Sequence, residues 1–279
     1  MRYLITVLVL LIIVDSAASQ QHKEIIKREV NFPDDEGTIL VENIFGAVKL
    51  EGYDGNKVIL EVEKEFSADT KNELEDALKK VFLVIETKGD TVDVFLTGIC
   101  GCNRNKNHNH NWHLCDFKFN YDFKVKVPRK ANINVSTVNN GNVEVQNIEG
   151  DVVAKNVNGG ITVGNISGSA KVHTINGNVE VRHVKNPLKK SSYYSLNGDV
   201  NVYYNPDLSA EMHFKSFQGE MYSDFDNTEM LPPVLTTSKT KNKNNTTYKI
   251  DNVMAIKVGK GGVVLSFETF NGDVYVRKI

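Results

Sequence analysis

Six side chains able to bind a metal or to cross-link fall between residues 100 and 115: Cys100, Cys102, His108, His110, His113 and Cys115. Thiolate and imidazole are the usual ligands of zinc and copper, so this loop could hold either metal. Its spacing is that of no standard zinc finger. The same cysteines offer a second chemistry, a disulfide from Cys115 to Cys102 or Cys100 at the neck of a hairpin whose tip carries Asn103, Asn105, Asn107, Asn109 and Asn111. Both readings stay open on the sequence.

Groups for catalysis are scarce. There is no Gly-x-Ser-x-Gly elbow and no His-Glu-x-x-His pair, and Gly259-Lys260-Gly261-Gly262 lacks the spacing and the hydroxyl residue of a phosphate loop. A glycan-cleaving β-helix would need clustered carboxylates. The residues expected to point outward here, Glu144, Lys155, Thr162, Lys171, Glu180 and Arg182, mix signs without gathering and read as a solvated face. Of the aromatics, Phe214 and Phe217 are expected in the core, while the paired tyrosines Tyr193, Tyr194, Tyr203 and Tyr204 are candidates for an apolar strip that meets a glycan or a protein.

The elements that would carry these groups are short strands. With 33 Lys+Arg against 35 Asp+Glu, nothing points to nucleic acid as a partner. Asparagine is abundant, 31 residues, and favours frequent turns. Residues 1–19 read as a signal peptide: Arg2, an apolar run from Leu4 to Val14, then Ala17, Ala18 and Ser19 before a cut at Gln20. No later run is long enough for a membrane helix, so the mature chain is expected to have none. The expected location is the periplasm or the cell surface.

Residues 20–128 form a strand-rich N-terminal region. Leu74, Ala77, Leu78 and Val81 are spaced for one helix near 69–81. Asp116 to Pro128 alternates perfectly, with Phe117, Phe119, Tyr121, Phe123, Val125 and Val127 on one face. From 129 to 279 a repeat takes over. Gly141, Gly150, Gly159, Gly168 and Gly177 are nine apart, while Asn-Gly pairs at Asn140, Asn158, Asn176 and Asn197, then Gln218-Gly219, step by 18, 18, 21 and 21. The fold class predicted is all-β: a parallel β-solenoid of two-strand coils of 18 to 21 residues, stacked in chain order. Asn186 to Ser192 is expected to lengthen one coil, and Thr236 to Thr247, polar and aperiodic, to be a loop.

These patterns carry a likeness. Phe123-Lys124-Val125-Lys126-Val127-Pro128, then Val135-Ser136-Thr137 and the Gly-x-Val-x-Val units, together with Gly46-Ala47-Val48-Lys49-Leu50-Glu51-Gly52-Tyr53-Asp54, resemble the putative-adhesin β-strand-repeat family of exported bacterial proteins. The resemblance implies a β-solenoid in the cell envelope, and it brings no catalytic residues. The function expected is therefore that of an exported structural or adhesin-like binding protein without catalysis or cofactor. Its partner would be a glycan or an envelope protein. The alternatives are a metal-binding envelope protein using the Cys/His loop with zinc or copper, and a carbohydrate-active β-helix enzyme.

Overall fold

The computed structural model describes residues 19–33, 36–98, 117–241 and 246–279 of the 279-residue chain. The Cys/His cluster and nearly all of the leader read over 1–19 lie outside the described residues.

Period-two alternation gives strands almost throughout. β1 (Gln20–Asn31), β2 (Thr38–Glu42), β3 (Val48–Tyr53) and β4 (Lys57–Ala68) precede α1 (Lys71–Lys80), and β5 (Phe82–Lys88), β6 (Thr91–Thr97) and β7 (Phe117–Pro128) follow it. The repeat supplies β8 (Asn132–Ser136), β9 (Val143–Gln146), β10 (Val152–Lys155), β11 (Ile161–Ile166), β12 (Ala170–Asn176), β13 (Val179–His183), β14 (Ser191–Asn197) and β15 (Val200–Tyr204). Last come β16 (Ala210–Gln218), β17 (Met221–Ser223), β18 (Thr228–Lys241), β19 (Thr246–Val258), β20 (Val263–Asn271) and β21 (Val274–Lys278). The helix starts where a capping box forms: the Thr70 hydroxyl accepts from the Glu73 N–H, and the Glu73 carboxylate accepts from the Thr70 N–H. In β7, the six residues expected on one face are all buried.

The strands form two large mixed sheets, one ordered β1-β4-β7-β3-β9-β11-β13-β15-β21-β17 and the other β18-β19-β16-β20-β14-β12-β10-β8-β2-β6-β5, and neither closes on itself. Among the described residues no helix is long and apolar enough to cross a membrane. Consecutive strands of the repeat alternate between the sheets, and neighbours within a sheet run parallel. In the first sheet Val143, Ile161 and Val179 lie opposite one another, a step of eighteen; the next partner, Val200, is twenty-one on. The three extra residues enter at the Pro187 turn, as expected. A parallel pair needs a long crossover, and here the strand of the opposite sheet provides it. The inward side chains of both sheets form one continuous core.

The order of the layers departs from chain order. Gln218 was expected to follow Asn197, but Asn197 lies opposite Asn271, and Gln218 lies on the far side of Asn271. The C-terminal strands β20 and β21 are thus inserted between β14/β15 and β16/β17. The same happens near the other end, where β6 and β7 flank β2 and β3 on the outside. Each layer offers its neighbours the same backbone edge, so the repeat fixes register without fixing sequence of stacking. A second correction concerns Thr236 to Thr247. Much of it belongs to a two-stranded antiparallel hairpin in which Thr236 pairs with Asp251 and Lys241 with Thr246. Its Thr-rich composition favours strand, and its uniformly polar character hides the period of two.

Successive layers of the repeat turn at corners of one kind. The Asn-Gly glycines stack so closely that a Cβ on Gly177 or Gly198 would overlap the glycine carbonyl of the adjacent layer. Three residues before the glycine, a buried polar side chain satisfies such a carbonyl. Thr174 Oγ1 donates to Gly159 O at 2.8 Å, Ser195 Oγ to Gly177 O at 2.8 Å and Thr269 Oγ1 to Gly198 O at 3.2 Å. Outside, Asn139, Asn158, Asn176, Asn197 and Asn271 form a ladder in which each side-chain amide donates to the one before, at 2.6 to 2.8 Å.

The core also holds one histidine. His183 is fully buried, stacked 5.0 Å from Tyr204, with Nε2 at 2.7 Å from the Tyr193 hydroxyl. Burial pushes its pKa down to about 3 from an ordinary 6.5. Below 6.5 the unfolded chain takes up a proton that the folded core refuses, so the stability present above that pH is lost as pH falls toward 3. Denaturation between pH 6.5 and 4.5, above the ordinary range of the glutamates, is expected to show a loss of about 1.4 kcal/mol per pH unit from this group. His183→Gln should flatten that slope; a slope unchanged by the substitution would refute the assignment.

Candidate binding surface

The paired tyrosines do not form one strip. Adjacent strand residues face opposite ways, so each pair is divided. Tyr193 and Tyr204 point inward, about 1% and 0% exposed, and their hydroxyls are 2.9 Å apart; they are core residues, not ligand contacts. Tyr194 faces out on the second sheet, packed 4.3 Å from His173. Tyr203 faces out on the first. Phe214 is in the core as expected, but Phe217 is 71% exposed and stacks on Phe270 at 4.6 Å, because the residue before Asn or Gln at the corner turns outward.

The outer face of the first sheet has two halves. Across β1, β4, β7, β3 and β9 it is zipped by cross-strand ion pairs: Lys23 with Glu63, Lys27 and Lys124 with Glu61, and Lys49 with Glu144. Exposed pairs of this kind contribute little stability, and together they leave that half electrically quiet. Beyond β11 no such pair joins two strands among the described residues; Lys278 on β21 pairs with Asp226, which follows β17. Arg182, Tyr203 and Arg277 lie side by side on β13, β15 and β21. The Arg182 guanidinium sits 4.3 Å from the Tyr203 ring centre, and that of Arg277 lies 6.0 Å from Tyr203 and 4.9 Å from Tyr275. Among the described residues neither arginine makes an ion pair.

Tyr275 stacks on Tyr222 at 5.0 Å with an interplanar angle of 8°. The Tyr275 hydroxyl donates to Asp273 and the Tyr222 hydroxyl to Glu220, at 3.0 and 2.6 Å; the Glu220 carboxylate holds the Tyr222 phenol up at about 12. The surface therefore presents two guanidiniums steadied on aromatic faces beside a row of neutral phenols. Planar donors on rings suit bidentate contact with a carboxylate or with sugar hydroxyls.

Of the acids near this row Asp151, Asp199 and Asp273 have structural partners, while Glu180, two residues before Arg182 on the same face of β13, is exposed. Asp151 accepts from the Ser169 N–H and hydroxyl and pairs with Lys189, while Asp199 and Asp273 each accept a backbone N–H from the adjoining layer. Among the described residues no group of three or more His, Cys, Asp or Glu is arranged for a metal ion. The six Cys/His candidates, Cys100 to Cys115, lie outside that set.

Arg277, Tyr275 and Tyr222 went unnoticed in the sequence. The signal was there: placing Val179-Glu180-Val181-Arg182, Val200-Asn201-Val202-Tyr203 and Val274-Tyr275-Val276-Arg277 one above another puts Arg182, Tyr203 and Arg277 in a single column.

No family model matches the chain, and no curated protein matches it. Some solved structures do. Their names speak of adhesion and of lipid binding. A "putative cell adhesion protein" from Clostridium sporogenes is 10% identical over 94% of this chain and 100% of its own, with a TM-score of 0.41. A "putative adhesin" from Bacteroides fragilis is 11% identical over 92% of this chain and 97% of its own, at 0.35. A "putative lipid binding protein" from Parabacteroides distasonis is 14% identical with the same coverages, at 0.28.

A second concavity lies at the opposite end of the molecule. Between the edge strands β1 and β5, beside α1, a groove of about 550 Å³ is lined by the apolar Ile26, Val30, Leu78, Phe82, Leu83 and Ile85 and by the charged Glu24, Arg28, Glu29 and Lys64, of which Lys64 pairs with Glu24. Phe82 is half exposed there.

Proposed function

We propose that this chain is an exported, non-catalytic binding protein of the bacterial envelope, whose two sheets are the faces of one parallel β-solenoid of two-strand coils. Supporting the solenoid are the parallel ladders, the alternation of strands between sheets and the stacked corners. The ligand proposed is an acidic glycan. The observation that carries this reading is the Arg182–Tyr203–Arg277 row, two unpaired guanidiniums held on aromatic rings of a rigid sheet. They stand two strand spacings apart, about 10 Å, so one extended polyanion can reach both. Asp199, Asp273 and Glu220 on this face serve as backbone acceptors or phenol partners, which leaves Glu180 as a single exposed carboxylate where glycoside cleavage takes two and supports binding over bond cleavage.

Calorimetric titration with polygalacturonate, against neutral dextran, tests the proposal. Binding is expected for the acidic polymer only, weaker with added salt. Arg182→Ala with Arg277→Ala should lower affinity about tenfold or more while the melting temperature stays within a few degrees, since each exposed arginine on a ring contributes about 0.5 to 1 kcal/mol or more. Binding indifferent to the double substitution, or none at all, would remove this ligand class. A second reading rests on the groove between β1 and β5, where apolar side chains that suit an acyl chain stand beside Arg28 and the Glu24–Lys64 pair. A fluorescent fatty acid should then bind, and Phe82→Lys should abolish that binding without affecting polygalacturonate.

A further inference from the structure

Five Asn-Gly pairs occur in this chain, at Asn140, Asn158, Asn176, Asn197 and Asn271. This dipeptide is chemically fragile, because glycine leaves its own amide nitrogen unshielded. Once deprotonated, that nitrogen attacks the preceding Asn Cγ; the new C–N bond closes a five-membered succinimide, and the side-chain nitrogen leaves as ammonia. Water then opens the ring at either carbonyl to give aspartate or isoaspartate. In balance, asparagine and one water yield the acid and one ammonia, with no other reactant.

Four of the five are locked on both reacting groups. The side-chain amides of Asn158, Asn176, Asn197 and Asn271 each donate within the ladder. The attacking nitrogens are occupied too: Gly159, Gly177, Gly198 and Gly272 donate their N–H to Asn176 O, Asn197 O, Asn271 O and Gln218 O, at 2.8 to 3.0 Å. Reaction at any of them requires two adjoining layers to part.

Asn140 differs. Its corner reads Thr137-Val138-Asn139-Asn140-Gly141, one residue longer than Thr174-Ile175-Asn176-Gly177, and the ladder position goes to Asn139. The surplus residue bulges out with φ of 61° and is exposed. Among the described residues the Asn140 side chain and the Gly141 N–H have no hydrogen-bond partner.

We propose that Asn140 is the deamidation site of this protein, and that the bulge confines the modification to a place where the stack tolerates it. Folded, full mature chain is incubated at mildly alkaline pH and physiological temperature, and its peptides are followed by mass spectrometry with chromatographic separation of isoaspartate. The Asn140 peptide is expected to convert at least about tenfold faster than the other four, the difference set by the hydrogen bonds that each must break. In urea all five should convert at similar rates. Asn140→Asp should leave the melting temperature unchanged, whereas Asn176→Asp, which removes a ladder donor, should lower it. Conversion of a ladder asparagine as fast as Asn140 in the folded protein, or an Asn140 peptide that stays intact while the others react, overturns the proposal.

Discussion

Gly198→Ala is expected to destabilise the protein by about 4 kcal/mol or more, a range reached by few mechanisms, overpacking and strain at a special φ among them. Gly198 sits at φ of 148° with Gly177 on the adjacent layer, and a methyl group there would overlap the Gly177 carbonyl carbon and oxygen. That oxygen also accepts from the buried Ser195 hydroxyl, so moving it breaks a second contact. Layers on both sides resist the shift. Gly89→Ala is the control: its φ of 61° is likewise unfavourable for alanine, but nothing lies within 4 Å, and a cost of about 1 kcal/mol is expected from conformation alone. Urea denaturation of the two variants measures the difference directly. Equal losses would show that the glycine column serves turn conformation and not close stacking.

The second large effect is a contrast between two deletions. Removing Gly159 to Asn176 excises β11 and β12 and joins Asn158 to Gly177, restoring an Asn-Gly corner. β9 then meets β13, and β10 meets β14, in unchanged registers. The protein should fold with lower stability, because neighbouring layers contribute most of the stabilisation and one interface remains where two stood. Removing Gly159 to Ser167 deletes β11 alone and sends each following strand to the wrong sheet. The buried residues of β12 to β15, Tyr193, Val200 and Val202 among them, lose their partners. Their burial contributes about 1.5 to 3 kcal/mol each, so the sum is comparable with the whole net stability of a domain. Circular dichroism and thermal melts should show a cooperative fold for the first deletion and none for the second. Equivalent melts would refute a two-strand repeat.

The repeat was readable because its corner demands particular residues. Gly177 and Gly198 admit no side chain, Asn176 and Asn197 complete a ladder, and Val179 and Val200 must be apolar to fill the core. Constraints so local leave a period in the sequence. The order of layers leaves none, since Asn271 offers Asn197 the same contacts that another corner residue would. The phase of the tyrosine pairs was legible in principle: Val200 and Val202 are inward, which fixes Tyr204 inside and Tyr203 outside. Phe217 misled because an aromatic in a strand suggests core, and only the corner geometry turns it out. The Arg182–Tyr203–Arg277 row needed both the period and the inversion of layers, since Arg277 adjoins Tyr203 only through the inserted C-terminal strands.

That inversion has a consequence in time. A chain emerging from its N-terminus completes β16 and β17 before β20 and β21 exist. The early segment carries its own corner, Ser216-Phe217-Gln218-Gly219, in the register that Ser195 and Asn197 await. A chain folding as it is made is therefore expected to pair β16 with β14 first, and β20 and β21 then to open that rung. β20 and β21 are expected to enter late: refolding from denaturant should pass through a compact species that lacks their layer, and a single kinetic phase without such a species would refute that order.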